Sequence, residues 1–225
     1  MIASWLCPTS VAGSAEEHAF VFDRGRPLRL LIVPALFDEA NRLRRLTIEV
    51  MRRLDGAGID SFLPDLPGCN ESLQPLASQT PASWRAAMAA AAAEFGATHL
   101  LAMRGGALVA PDRLPGWRYV PLPGAAVLRQ MLRTRILASR EAGIAETQDG
   151  LLAKGLRDGL DLSGHALSAR FLAELQKLEV PAAMRTSDIG QDLVGGAPLW
   201  LRAEPGEDRD QADALAAIIA VGMKA

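Results

Sequence analysis

Arg104 sits in the position where a familiar type of hydrolytic site carries its nucleophile. The stretch His99-Leu100-Leu101-Ala102-Met103-Arg104-Gly105-Gly106-Ala107-Leu108-Val109-Ala110 reads as an apolar strand, an abrupt turn and a helix opening on two glycines. Ala102 and Gly106 lie two before and two after the arginine, the small-x-apex-x-small spacing of a nucleophile elbow. Small flanking residues let the backbone hold its apex residue in a strained turn. A guanidinium is neither a nucleophile nor usefully deprotonated, so the scaffold is present without its reacting atom.

A serine site on such an elbow also needs an acid and then a histidine, in that chain order. Acids are available in Asp188 and Asp192, but Glu204-Pro205-Gly206-Glu207-Asp208, which follows the last expected strand, contains no histidine. His99 reads as a hydrogen-bonded structural residue of the apolar strand, His18 as a surface or edge residue. His165 precedes the candidate acids, so its order is wrong. Weak catalytic alternatives remain in Cys69, Ser72, Asp188 and His165. A thiolate at Cys69 needs a base or a positive neighbour, and Arg104 is the expected cation.

Asp38, Glu39, Asp65 and Glu71 offer oxygen ligands for a hard metal. The favoured reading is that Asp38 and Asn41 cap a helix while Asp65 and Glu71 order their loop or pair with Arg104. No metal or cofactor is expected. For Arg104 two roles stay open. With the Gly105 and Gly106 N–H groups it forms an anion-friendly helix start, lined also by Asp38, Glu39, Asn41 and Asp65, that would bind a small anionic ligand. Alternatively it closes an internal salt bridge to Glu39 or Asp65. Arg133 and Arg135 read as a helix surface or as bridges to a flap, and the Trp200 ring as core.

Alternating strands and helices position these groups. Leu28–Val33, Ile59–Leu63, His99–Met103 and Trp117–Val120 are short apolar runs suited to a sheet buried on both faces. Ala19–Phe22 reads as a short edge strand, and Ala182–Thr186 and Ala197–Ala203 as two late strands. Leu43, Leu46, Val50 and Leu54 form one helical stripe, ended by Gly56 and Gly58. Thr80-Pro81 opens a second helix. A third spans about 124 to 138, a fourth runs from Ser163 to Leu178, and Asp208–Met223 closes the chain. Residues 143–162 read as a short flap or remnant cap. The pattern predicts one domain over 1–225 with a doubly wound, mostly parallel α/β sheet. Ligands of such sheets lie beyond the carboxyl ends of the strands, where Arg104 falls.

The composition is that of a globular chain: 225 residues, 49% hydrophobic, 22% charged, net charge −2, mean hydropathy +0.12. No basic surplus points to nucleic acid. Two cysteines make neither a disulfide framework nor a metal cluster. With no signal peptide or transmembrane segment expected, the setting reads as cytoplasmic. A homodimer formed through an exposed helix is one further reading.

The ordered loops resemble the exosortase A system-associated hydrolases of the second type, within the α/β-hydrolase superfamily. Val33-Pro34-Ala35-Leu36-Phe37-Asp38-Glu39-Ala40-Asn41-Arg42 is similar to that family's P-P-F-A-E-E-M-N-K segment. Pro64-Asp65-Leu66-Pro67-Gly68-Cys69-Asn70-Glu71-Ser72 is similar to its P-D-L-P-G-C-G-D-S loop, with Asn70-Glu71 in place of Gly-Asp. The elbow, Leu128–Arg135, Leu162-Ser163-Gly164 and Gly196–Trp200 complete the match. The resemblance implies an α/β-hydrolase fold with a reduced cap and a role beside bacterial exopolysaccharide and protein-sorting systems. The leading expectation is therefore a pseudoenzyme that binds an anionic ligand or a protein of such a system. The rivals are a genuine acyl- or glycosyl-ester hydrolase acting through Cys69 or a metal, and a dimeric interaction subunit.

Overall fold

The computed structural model describes residues 1–9, 13–182, 184–202 and 204–225. Its main sheet comprises β1 (Ile2–Pro8), β2 (Ser14–Phe22), β3 (Arg29–Val33), β4 (Asp60–Pro64), β5 (His99–Met103), β6 (Gly116–Tyr119) and a late strand, β9 (Thr186–Ile189). Between β6 and β9 the chain forms a separate hairpin, β7 (Leu160–Leu162) and β8 (His165–Leu167). The sheet order is β1-β2-β4-β3-β5-β6-β9; β1–β2 and β2–β4 are antiparallel, and the other pairs are parallel. Five parallel strands thus end on one side of the molecule, in the mostly parallel sheet that the sequence predicts.

The alternation of side chains along β3 divides the core. Leu31 and Val33 join Phe62, Leu100 and Ala102 beneath α2 (Pro81–Glu94), α3 (Gly124–Glu141) and α5 (Ala169–Lys177). Leu30 and Ile32 join Leu63, Leu101, Met103 and Tyr119 beneath α1 (Asp38–Gly56) and α7 (Arg209–Lys224). The four apolar residues Leu30–Val33 are all at 0% exposure. At about 1.5–3 kcal/mol per buried aliphatic side chain, β3 is the keel of the fold. α4 (Gln148–Asp158) lies against α5 and α3, and the short α6 (Gln191–Val194) against α7.

Several local expectations are corrected. The N-terminal segment is a long hairpin, and β2 is an inner strand with β1 outside it. Ser163 caps no helix. Ser163 (φ 55°) and Gly164 (φ 83°) are the two central residues of the β7–β8 turn, with Leu162 facing His165. Positive φ at both positions suits the twist of a tight hairpin. The helix begins instead at Ser168, whose side chain accepts from the Phe171 N–H.

Residues 143–162 hold α4, capped by Thr147, and then β7. The first late strand starts at Thr186, where it meets Gly116 of β6, and lies beyond Pro181. The second is no strand: Leu199–Leu201 is a 3₁₀ turn following Pro198, which has no N–H for a ladder. Ala183 and Ala203, at the edges of those two expectations, lie outside the described residues. Among the described residues no helix is long and apolar enough to cross a membrane.

Candidate functional site

β5 delivers the elbow to the carboxyl edge of the sheet. Arg104 adopts φ 52°, the left-handed backbone that costs an ordinary residue of order 1 kcal/mol or more. The chain turns at once into a 3₁₀ helix, Arg104–Leu108, rather than a long α-helix. Gly106 permits that turn. A Cβ there would lie 2.3 Å from the Pro34 carbonyl oxygen and 2.9 Å from that of Val33, so the elbow presses directly on the end of β3. At Gly105 the nearest atoms, at 3.1–3.3 Å, belong to the Val127 and Leu36 side chains.

The Arg104 side chain folds inward. Its Nη2 donates to Glu39 Oε1 at 3.0 Å and its Nε to Glu39 Oε2 at 3.1 Å, a bidentate pair. Nη1 donates to the Val120 carbonyl at 3.1 Å. The guanidinium carbon lies 4.0 Å from the centroid of the Trp200 ring, which meets Tyr119 edge-on at 5.8 Å. Both charged side chains are about nine-tenths buried, at 8% exposure each. Glu39 sits in the first turn of α1, where helix N–H groups favour negative charge. Tyr119 in turn donates from its hydroxyl to Gln191 Oε1; burial pushes that phenol up to about 12, partly opposed by Arg104.

Arg104 thus makes three hydrogen bonds and one ring contact, all within the protein. The hollow beside Glu39, lined also by Leu36, Phe37, Val127 and Met131, has about 20 Å³, room for roughly one water. A cavity of about 200 Å³ lies elsewhere, lined by Leu100, Leu114, Arg118 and Met184.

The other sequence-derived residues divide. Asp38 caps nothing: the N-cap is Phe37, at φ 56° with no side-chain cap, and Asp38 begins the helix. Its Oδ1 lies 3.4 Å from His165 Nε2, and the His165 ring packs edge-on against Phe37 at 5.2 Å. The β7–β8 hairpin therefore brings His165 to α1, one residue from Glu39, while Asp188 pairs instead with Arg118 Nε at 2.6 Å. Asn41 is exposed within α1 and does not cap it. Asp65 accepts from Asn70 Nδ2 at 2.6 Å and lies 3.6 Å from Arg44, not beside Arg104; burial raises its pKa. Among the described residues no three His, Cys, Asp or Glu side chains are grouped to hold a metal ion.

Cys69 is not activated. Burial, then the charges of Asp65 and Glu17, push its thiol up to about 12. Ser72 is engaged structurally: its Oγ donates to Glu17 Oε1 at 2.8 Å and accepts from the Gly68 and Gln74 N–H groups. Among the described residues the histidine hydrogen-bonded to a hydroxyl is His99, through Nδ1 and Thr98 Oγ1 at 3.0 Å. That pair lies at the opposite end of β5 from the elbow. Arg135 bridges to the 143–162 segment by two bonds to Glu146 at 3.0 and 3.2 Å. Sequence reasoning missed Val120 and Tyr119 as part of the Arg104 enclosure. The available signal was Pro121, whose missing N–H cannot continue the ladder of the strand that ends before it; Val120 itself turns the chain at φ 42°.

No family model and no curated protein matches the chain by sequence. Solved structures do match in three dimensions. Alpha/beta hydrolase domain-containing protein 10 from mouse superposes over 99% of this chain and 98% of its own, at TM-score 0.55 and 10% identity. A thermophilic esterase from Thermogutta terrifontis, solved with malate bound, covers 95% and 86% at TM-score 0.51 and 17% identity. Est1E from Butyrivibrio proteoclasticus, solved with ferulic acid, covers 73% and 68% at TM-score 0.51 and 17% identity. At such identities the likeness defines the fold: this chain has the α/β-hydrolase architecture.

Proposed function

We propose that this protein is a non-catalytic member of the α/β-hydrolase fold, its strand-end crevice closed by an internal lock of Arg104 on Glu39. One observation carries the reading: the apex residue of the elbow is bonded bidentately to Glu39 and stacked on Trp200, both charges buried. Of the two roles the sequence leaves open for Arg104, the salt bridge takes its Nε and Nη2 groups, while Nη1 donates to the Val120 carbonyl. An anion at this guanidinium would meet the Glu39 carboxylate already bonded to it. The rival hydrolase reading rests on Cys69, whose thiol is protonated at neutral pH with a value near 12. The loop resemblance supports the finer proposal that such a protein serves as a binding component beside an exopolysaccharide or protein-sorting system. The experiment is a panel of activated acyl and glycosyl esters with wild-type protein. The reading expects rates equal to buffer; turnover abolished by Arg104→Ala in a folded protein overturns it.

A further inference from the structure

The two edges of the sheet are built differently. β9 has four residues, Thr186 to Ile189, includes Asp188 and follows Arg185, as protected edges commonly do. β1 has seven residues, Ile2-Ala3-Ser4-Trp5-Leu6-Cys7-Pro8, with no charge among them. Ile2 and Leu6 are 71% and 65% exposed. An uncharged, apolar edge of this length is a template for another strand.

The hydrogen-bond phase of β1 says which groups are free. Met1 and Val21 exchange both backbone bonds, at 3.0 and 2.8 Å. The same register pairs Ala3 with Ala19, Trp5 with Glu17 and Cys7 with Ala15. In an antiparallel ladder bonded pairs alternate with non-bonded ones, so Ala3, Trp5 and Cys7 turn their backbone groups toward β2. Ile2, Ser4 and Leu6 then present N–H and C=O outward from the sheet. Trp5 and Cys7 are buried in the α2 side of the core at 2% and 0% exposure, which fixes this phase.

We propose that β1 pairs antiparallel with β1 of a second copy, about a two-fold axis at Ser4, making one continuous sheet. The sequence is self-complementary in that register. Ile2 faces the second copy's Leu6, Ser4 faces Ser4, and Leu6 faces Ile2. The pairs at Ile2, Ser4 and Leu6 exchange all their outward N–H and C=O groups. On the opposite face bulky Trp5 meets small Ala3. Pro8, which has no N–H, falls outside the paired segment. No like charges meet across the axis, and Phe20, the β2 partner of Ile2, extends the apolar stripe. An isologous contact of this kind closes at two copies. A strand pair with few flanking contacts buries less than the ~1,600 Å² of a standard interface, so the dimer is concentration-dependent.

The test is light scattering on the full chain from about 1 to about 200 μM, a range that spans weak self-association. The mass of wild type should climb from 24.0 kDa towards twice that value. Leu6→Lys, which places an ammonium opposite Ile2, should weaken dimerisation at least tenfold. Ser4→Pro should do the same with unchanged unfolding temperature, because the N–H it removes points away from β2. Leu137→Lys, on the exposed face of α3, should change nothing. A short bismaleimide should link Ser4→Cys protein to itself, and should link Ile2→Cys with Leu6→Cys only when the two are mixed. A mass fixed at 24.0 kDa throughout, or a dimer lost in Leu137→Lys and retained in Leu6→Lys, overturns the proposal. Failure here leaves the Arg104 lock untouched, since β1 and the elbow lie on different strands.

Discussion

Arg104 and Glu39, separated by 65 residues in the chain, meet through two nearly parallel hydrogen bonds of 3.0 and 3.1 Å in a site from which water is nearly excluded. One sits at the apex of the elbow after β5 and the other in the first turn of α1 after β3, so the pair ties together the ends of two adjacent central strands. A buried ion pair is costly to form and costlier to break. Glu39→Gln should therefore destabilise by about 3–5 kcal/mol, leaving a buried guanidinium without its counter-charge. Replacing both partners together, Glu39→Leu with Arg104→Met, should come within about 1–2 kcal/mol of wild type or exceed it. Urea unfolding reads both; a Glu39→Gln loss below about 1 kcal/mol would show that the pair is not effectively buried.

The elbow's backbone depends on Gly106 more than on Gly105. Gly106→Ala puts a methyl 2.3 Å from a backbone oxygen, whereas at Gly105 the new methyl meets side chains at 3.1 Å or more that can shift. The first substitution should cost about 2–4 kcal/mol and the second about 1, by thermal or urea unfolding. Equal costs would mean that the elbow relaxes freely away from β3.

Cys69 provides a chemical test of the rival hydrolase reading. With its thiol near 12, and that of Cys7 likewise near 12 through burial and the Glu17 charge, neither holds appreciable thiolate at pH 8. Iodoacetamide should label native protein far more slowly than a free thiol and should label both cysteines once urea unfolds the chain. Rapid native labelling of Cys69 would restore it as a nucleophile.

His99 imposes a pH dependence on stability. Its burial lowers the imidazole pKa below the ordinary value of 6.5, and the ring stacks on Trp117 at 6.0 Å. Between that lowered value and 6.5 the unfolded chain binds more protons than the folded one, so stability rises with pH across that window. The unfolding temperature should fall as pH drops below 6.5, and His99→Gln should flatten that slope. An unchanged slope in the variant would assign the effect to other groups.

Much of this architecture is legible in the residues. β3 and β5 are nearly all apolar because both of their faces are covered, and Thr80 before Pro81 marks α2 through a capping box completed by Ser83. The small-Arg-small spacing places the elbow without any structure. Glu39 as the partner of Arg104 is less legible, since Glu39 and Asp65 are both carboxylates at strand ends and only packing chooses between them. Ser163 shows the same ambiguity locally: serine before glycine serves a hairpin turn as readily as serine serves a helix cap. β1 escapes notice because Ala3, Ser4 and Cys7 are small and its apolar residues fall on both faces.

The claim that matters most is that the site lacks hydrolytic machinery and not merely its nucleophile. Arg104→Ser restores the hydroxyl at the elbow apex, yet His165 lies against Asp38 and Phe37, and Glu204–Asp208 contains no histidine. The deciding measurement is the rate of p-nitrophenyl ester hydrolysis by folded Arg104→Ser protein beside wild type. The account predicts that both match buffer; turnover by the serine variant well above buffer would contradict it.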